Sequence, residues 1–281
     1  YEIIGYETVA TIINDLITVG AKPLVTHAYW AVGSNEWFGD EERLKDLVAG
    51  WKNGCDTAGT SWGGGESPTL TTIVSPDYID LGGSSVGIIE KKENLITDKK
   101  LQDGDRIILL KSTGLNANGI SLARAVADKM PEGYATKLPS GMYYGEAVLN
   151  KTNIYAKLIQ NIFNGGVDIH YLSNITGHGM RKIMRAKGDF SYIIEDMFEP
   201  QEVFDAVQKY AELTEYEMYD TYNMGMDYAI FVAPEDVTKT LEIIKETGFE
   251  AKDAGYIEAG ERKVILKPKN ITFTSESMDL R

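Results

Sequence analysis

The 281-residue chain carries 42 acidic and 28 basic side chains, a net charge of −14, with 43% hydrophobic and 25% charged residues. Such a length favours about two domains with cores that need no disulfide or structural metal. An acidic surface argues against nucleic acid and anionic membranes as partners, and neither a membrane-length apolar run nor a charged-then-apolar leader is visible. An anionic small ligand remains open, because backbone N–H groups and a metal ion can overrule the global field locally. The single cysteine, Cys55, allows no intrachain disulfide, suits a reducing cytoplasmic compartment, and reads as a small core residue rather than a nucleophile.

In chain order, Val9, Ile12, Ile13 and Leu16 form one apolar stripe, which predicts a helix capped near Gly20, with Asn14 and Asp15 off the stripe and facing solvent or a cleft. "KPLVTHAYWAV" predicts a strand, and "EERLKDLVAGWKNG" a second helix with Leu44, Leu47, Val48 and Trp51 inward. A glycine loop, "TSWGGGESPT", follows, and "DYIDLGGSSVGIIEK" then reads as a strand with a bulge or close backbone approach. The charged run "KKENLITDKKLQDGD" marks a boundary, dividing the chain into domains over 1–100 and 101–270 with a polar tail over 271–281. Beyond it, strands at "DRIILLK", "VDIHYLS", "FSYIIED", "DYAIFVA" and "RKVILK" alternate with helices. These helices include a long one over "EAVLNKTNIYAKLIQNIF" and shorter ones over "NGISLARAVADKM", "GMRKIMRA", "PQEVFDAVQKYAE" and "PEDVTKTLEIIKETG". Interleaved strands and helices predict an α/β or α+β layered fold.

Four loops pair glycine with polar groups: "GGGES", "STGLNANGISLAR", "ITGHGMRK" and "TYNMGMDYAI". In the second and third a strand ends, glycines let the backbone curl and a helix starts, which favours an anion such as phosphate at free N–H groups. An ordinary glycine-rich connection explains either loop alone equally well, and neither fits a P-loop or dinucleotide pattern. Asp15 and Glu66 are the acids best placed to share a magnesium ion, which prefers a couple of carboxylates, waters and phosphate oxygens. Taken singly, Asp15 also reads as a solvated helix acid and Glu66 as a turn acid. The three histidines are too scattered for a zinc motif: His27 and His170 lie in strand-like runs and read as structural, whereas His178, between glycines, is the one expected to touch a ligand. No serine occupies a nucleophile elbow.

Taken together and in order, "NDLITVGAKPL", "GGGES", "IDLGGSSVGIIEK", "LQDGDRIILLKSTGLNANGISL", "ITGHGMRKI" and "EMYDTYNMGMDYAI" resemble the phosphoribosylformylglycinamidine cyclo-ligase (aminoimidazole ribonucleotide synthetase) family over nearly the whole chain. The wider superfamily includes thiamine-monophosphate kinase, selenophosphate synthetase and formylglycinamidine ribonucleotide synthetase. The resemblance implies two α/β domains, the first pairing its sheet across a homodimer into a barrel and the second a mixed sheet with helices. It also implies ATP and magnesium, a small ribonucleotide substrate, and a reaction in which ATP activates a formyl amide oxygen before a nitrogen of the same substrate closes an imidazole ring. By position it implies Asp15, Glu66 and Asn118 in catalysis, with Asp15 and Glu66 on the metal; His178 joins the catalytic set on its own placement between glycines, not on the family pattern. Asn14, Gly63, Gly64, Gly65, Gly114 and Gly119 fall at the cofactor, and Thr176, Gly177, Gly179, Asn223 and Gly225 at the ribotide phosphate.

The chain departs from the family pattern in places. An Asp-Gly-Val-Gly-Thr-Lys segment is expected upstream of Tyr1, "TAGTSW" is added before Gly63, Asn116 replaces a histidine, His178 replaces a glycine, and Ala28 stands where an acid is common. These departures leave two other readings: a related ATP- and magnesium-dependent kinase or amide-activating enzyme, and a dimeric nucleotide-binding paralogue without turnover.

Overall fold

The structure, a computed structural model, describes residues 1–277. Helix α1 (Glu2–Leu16) buries Tyr6, Val9, Ala10 and Ile13, and a 3-10 turn carries it to Gly20, whose φ of 82° ends it as a left-handed cap. Strand β1 (Lys22–Val32) follows, then helix α2 (Glu41–Ala58), whose start is held by Asp40 Oδ1 accepting from Arg43 N at 3.0 Å. The buried face of α2 is Leu47, Gly50, Trp51, Gly54, Cys55 and Ala58. Val48, expected inside, is 37% exposed. The stripe shifts because glycine lets the two helices touch: a Cβ on Gly50 would lie 1.7 Å from the Glu2 carbonyl oxygen. Cys55 is buried as expected, and burial, aided by Asp56, pushes its thiol up to about 11, which keeps it unreactive.

Strands β2 (Ser61–Glu66) and β3 (Ile79–Ile88) complete a three-stranded sheet in the order β2-β1-β3, with β1 parallel to β2 and antiparallel to β3. The glycine segment expected as a loop is therefore an edge strand. Gly65 permits it, since a Cβ there would stand 2.1 Å from the Ala28 carbonyl oxygen. The helices cover one face of the sheet: a Cβ on Gly83 would meet Ile12 and Trp51, and the rings of Trp30, Trp51 and Trp62 gather with centroids 5.6 to 6.1 Å apart. The other face leaves Tyr29, Val86 and Ile88 exposed.

The chain divides into two compact units, Tyr1–Lys92 with Asn153–Ile159, and Glu93–Thr152 with Gln160 onward. The excursion of 153–159 into the first unit rests on Asn14, which is 3% exposed rather than facing solvent. Its Nδ2 donates to the Asn153 carbonyl at 2.7 Å and its Oδ1 accepts from Tyr155 N at 3.1 Å.

The second unit contains β4 (Arg106–Lys111), α3 (Ile120–Ala127), α4 (Tyr144–Val148), the part of α5 (Ala156–Asn164) from Gln160 on, β5 (Ile169–Asn174) and β6 (Phe190–Ile194). After these come α6 (Glu202–Ala211), α7 (Glu215–Thr221), β7 (Met226–Val232), α8 (Val237–Glu246), β8 (Ala251–Ala259), β9 (Lys263–Leu266) and β10 (Ile271–Thr274). The long helix expected after Gly145 is thus two short ones. Between them Thr113 Oγ1 donates to the Lys151 carbonyl, Asn150 Nδ2 donates to the Thr113 carbonyl, and Asn14 takes the backbone at 153 and 155. Side chain–backbone bonds of this kind outcompete the helix. The "GMRKIMRA" helix is a six-residue 3-10 turn, Gly179–Met184. The expected tail is a strand to Thr274 paired with β9, and its last residues, 278–281, lie outside the described residues.

The seven strands run β10-β9-β6-β8-β4-β7-β5. One face packs Ile107, Leu109, Ala229 and Phe231 against α3, α4, α6 and α7. On the other, Ile108, Leu110 and Ile230 are also buried, and α8 lies against β8. Both faces being covered explains the near-continuous apolar strands.

His170, at the start of β5, bonds the buried Asp105 carboxylate at 2.8 Å. This hydrogen bond, with the charges of Asp105 and Asp168, raises the imidazole above its ordinary value against the opposing effect of burial. The bonus from protonated His170 is fully present below the unfolded value of about 6.5 and is lost as pH rises through the higher folded value. Thermal stability is expected to fall across that window, and His170→Gln to flatten the profile when Tm is measured against pH.

Candidate functional site

Sheet topology decides which loops meet. β4 and β5 flank β7 and both run antiparallel to it, so the C-terminal ends of β4 and β5 and the N-terminal end of β7 share one end of the sheet. The loops at 112–119, 175–179 and 222–225 emerge there together. The His170–Asp105 pair sits at the opposite strand ends, consistent with its structural reading.

Contacts bind the three loops into one surface. Asn118 Oδ1 lies 3.1 Å from where a Gly177 Cβ would be. Gly119, φ 80°, caps α3 and faces the ring of Tyr222, whose hydroxyl donates to the Gly119 carbonyl at 3.1 Å. Burial pushes that hydroxyl up to about 12, so Tyr222 is a neutral donor. Gly179, φ 51°, is covered by α7: a Cβ there would stand 2.2 Å from the Tyr219 carbonyl oxygen. Among the described residues, three of the five non-glycine residues with positive φ fall in these loops: Asn116, His178 and Met224. Backbone strain of this type concentrates at ligand sites.

Within this surface the expected residues separate into framework and mouth. Asn223, expected at the phosphate, is 3% exposed and its amide is spent inside: Nδ2 donates to the Gly114 carbonyl at 2.9 Å, while Oδ1 accepts from Ser112 Oγ at 3.1 Å and from Gly225 N at 2.9 Å. Gly114 and Gly225 are therefore ties of the loop framework. Gly179 also belongs there, since its N–H donates to the Thr176 carbonyl at 3.0 Å. Thr176, Gly177, Asn118 and the exposed His178 remain at the mouth. Beneath them lie Lys182 and Arg181, which the sequence did not single out, and Asn116. Lys182, 9% exposed, donates from Nζ to Thr176 Oγ1, and Arg181 pairs with Asp220 at 2.7 Å. Asn116 Nδ2 donates to the buried Asp227 at 2.9 Å, leaving its own buried Oδ1 without a partner. The signal for Arg181 and Lys182 was a basic pair one residue past the "GHG" glycines.

In the first unit, Gly63, Gly64, Gly65 and Glu66 form the exposed edge of the sheet, and a Cβ on Gly64 would meet nothing within 4 Å. Asp15 is exposed near the C-terminal end of α1, and Glu66 ends β2, paired with Tyr29 of β1. Asn14 is the buried clamp described above. Among the described residues no cluster of three His, Cys, Asp or Glu side chains could hold a metal, and no helix is long and apolar enough to cross a membrane.

Residues 1–89 match the family described as AIR synthase related protein, N-terminal domain, and residues 102–267 its C-terminal domain. The phosphoribosylformylglycinamidine cyclo-ligase of Caldanaerobacter subterraneus subsp. tengcongensis is 36% identical over 272 residues, covering 95% of this chain and 79% of that protein. The cyclo-ligase of Lachnospira eligens is 34% identical over 270 residues, covering 95% and 78%. Among solved structures, hydrogenase maturation protein HypE in complex with ATP superposes with a TM-score of 0.69 at 13% identity, covering 96% of this chain and 78% of that one. Thiamine-monophosphate kinase from Stenotrophomonas maltophilia K279a gives 0.69 at 14% identity, covering 96% and 80%. At those identities the structures share the fold.

Proposed function

The chain belongs to the AIR synthase related family, and on that premise we propose that it is an ATP-dependent cyclo-ligase of purine biosynthesis. It converts formylglycinamidine ribonucleotide to aminoimidazole ribonucleotide with release of ADP and phosphate. The observation that carries this reading is identity of 34 to 36% to cyclo-ligases over 95% of the chain. The three-loop surface at one end of the second sheet supports it.

Thr176, Gly177, Asn118 and His178 are assigned to the ribotide. Thr176 and the bare backbone at Gly177 offer donors to its phosphate, while Asn118 and His178 flank the reacting end. The edge Gly63–Gly65 suits the ATP polyphosphate, because nothing projects from it at Gly64. Magnesium, which would neutralise phosphate charge, fits the exposed Glu66 carboxylate, with Asp15 assigned as the second acid and phosphate oxygens and water completing its shell. The uncovered sheet face bearing Tyr29, Val86 and Ile88 fits a second copy of the chain, making the working unit a homodimer. The buried lone cysteine agrees with a cytoplasmic setting.

The test is turnover by the full chain. Given formylglycinamidine ribonucleotide, ATP and magnesium, it is expected to release ADP and phosphate in step with aminoimidazole ribonucleotide. Phosphate release only with a different acceptor would overturn the substrate assignment.

A further inference from the structure

Lys182 lies three residues past Gly179, 9% exposed, on a turn pinned from two sides. Ser173 Oγ donates to its carbonyl at 2.9 Å, and its neighbour Arg181 is held by Asp220 at 2.7 Å. The Lys182 ammonium is thereby aimed at Thr176 Oγ1. An ammonium group has donors and no acceptor, so the Thr176 oxygen must accept from it. The hydroxyl's own proton is then left to point away from Lys182. The next residue, Gly177, has no side chain, and the Asn118 amide stands alongside it at the mouth of the loop.

We propose that Lys182 is a positioning residue for phosphate recognition: it commits the Thr176 hydroxyl to donate to a phosphomonoester oxygen of the substrate. A free hydroxyl rotates between donor and acceptor roles; one held by a buried cation does not, and the low local dielectric strengthens the constraint. The loop thus presents a pre-set donor to a dianion and a poor partner to any ligand that needs an acceptor there. The proposal rests on the assignment of the 176–179 loop to the ribotide phosphate.

Binding of ribose 5-phosphate to the full chain, measured by calorimetry, tests it. Lys182→Met and Thr176→Val are each expected to weaken binding about tenfold, the loss of one hydrogen bond to a charged group. The double variant is expected to bind no more than about threefold weaker than either single, because Lys182 acts through Thr176. Lys182→Gln, which keeps a donor, and Thr176→Ser, which keeps the hydroxyl, are expected to stay within about threefold of the parent. Losses that multiply in the double variant would mean direct contact of Lys182 with phosphate and overturn the proposal. Parent-like binding by Lys182→Met would overturn it too. Should Lys182→Met fail to fold, the Gln and Ser variants against Thr176→Val carry the test. Failure of the parent to bind ribose 5-phosphate while it still forms product overturns the loop assignment and this proposal, but not the cyclo-ligase reading. Lys182-dependent binding without product formation does the reverse.

Discussion

Glu66→Ala is expected to lower turnover by about 10²- to 10³-fold, the range seen when one preorganised electrostatic contact is lost at a reacting centre, with Tm unchanged within about 2 °C. Glu66 ends an edge strand whose six residues are all exposed, so the structure loses little when its carboxylate goes. The deficit is expected to deepen at low magnesium and to be relieved partly by excess magnesium, read as the metal dependence of phosphate release. Glu66→Gln, similar in shape but uncharged, should behave like alanine. A large drop in Tm with a modest kinetic loss would instead make Glu66 a residue of the strand edge. Asp15→Asn is the comparison: as the second acid assigned to the ion, it should share the magnesium dependence of the Glu66 variants.

Asn223→Ala is expected to cost about 3 kcal/mol, lowering Tm by roughly 6 to 12 °C. The amide is buried, and truncation leaves Gly225 N, the Gly114 carbonyl and Ser112 Oγ without their partner. Ribotide KM should worsen in the surviving folded fraction because three loops lose their common tie. Thermal unfolding beside the kinetics separates this from a phosphate ligand, whose loss would raise KM with little change in Tm.

β1 was legible to the residue because "KPLVTHAYWAV" combines β-branched and aromatic side chains between a glycine cap and a turn. β2 was not, because glycine carries no strand signal and its pairing depends on the room it leaves beside Ala28. The loops after β4 and β5 were legible as strand–glycine–helix junctions, yet their meeting follows from β7 lying between those strands, a long-range pairing with no local mark. Asn14 and Asn223 were placed at ligands by their positions in the family pattern. Burial, which only the fold supplies, makes them hydrogen-bond clamps. Lys182 was in plain view in "GMRK", but its reach back to Thr176 depends on the tight 3-10 turn that replaces the expected helix.

The return of residues 153–159 to the first unit sets an order of events during synthesis. Helix α1 leaves the ribosome early, but the backbone that satisfies Asn14 is about sixty residues behind Lys92, a lag on the order of 3 to 12 s at ordinary elongation rates. Until then the Asn14 amide lacks its two backbone partners at 153 and 155. A nascent chain stalled in that interval is a natural client for a chaperone, and a recombinant fragment cut at the apparent boundary near residue 92 inherits the same defect permanently.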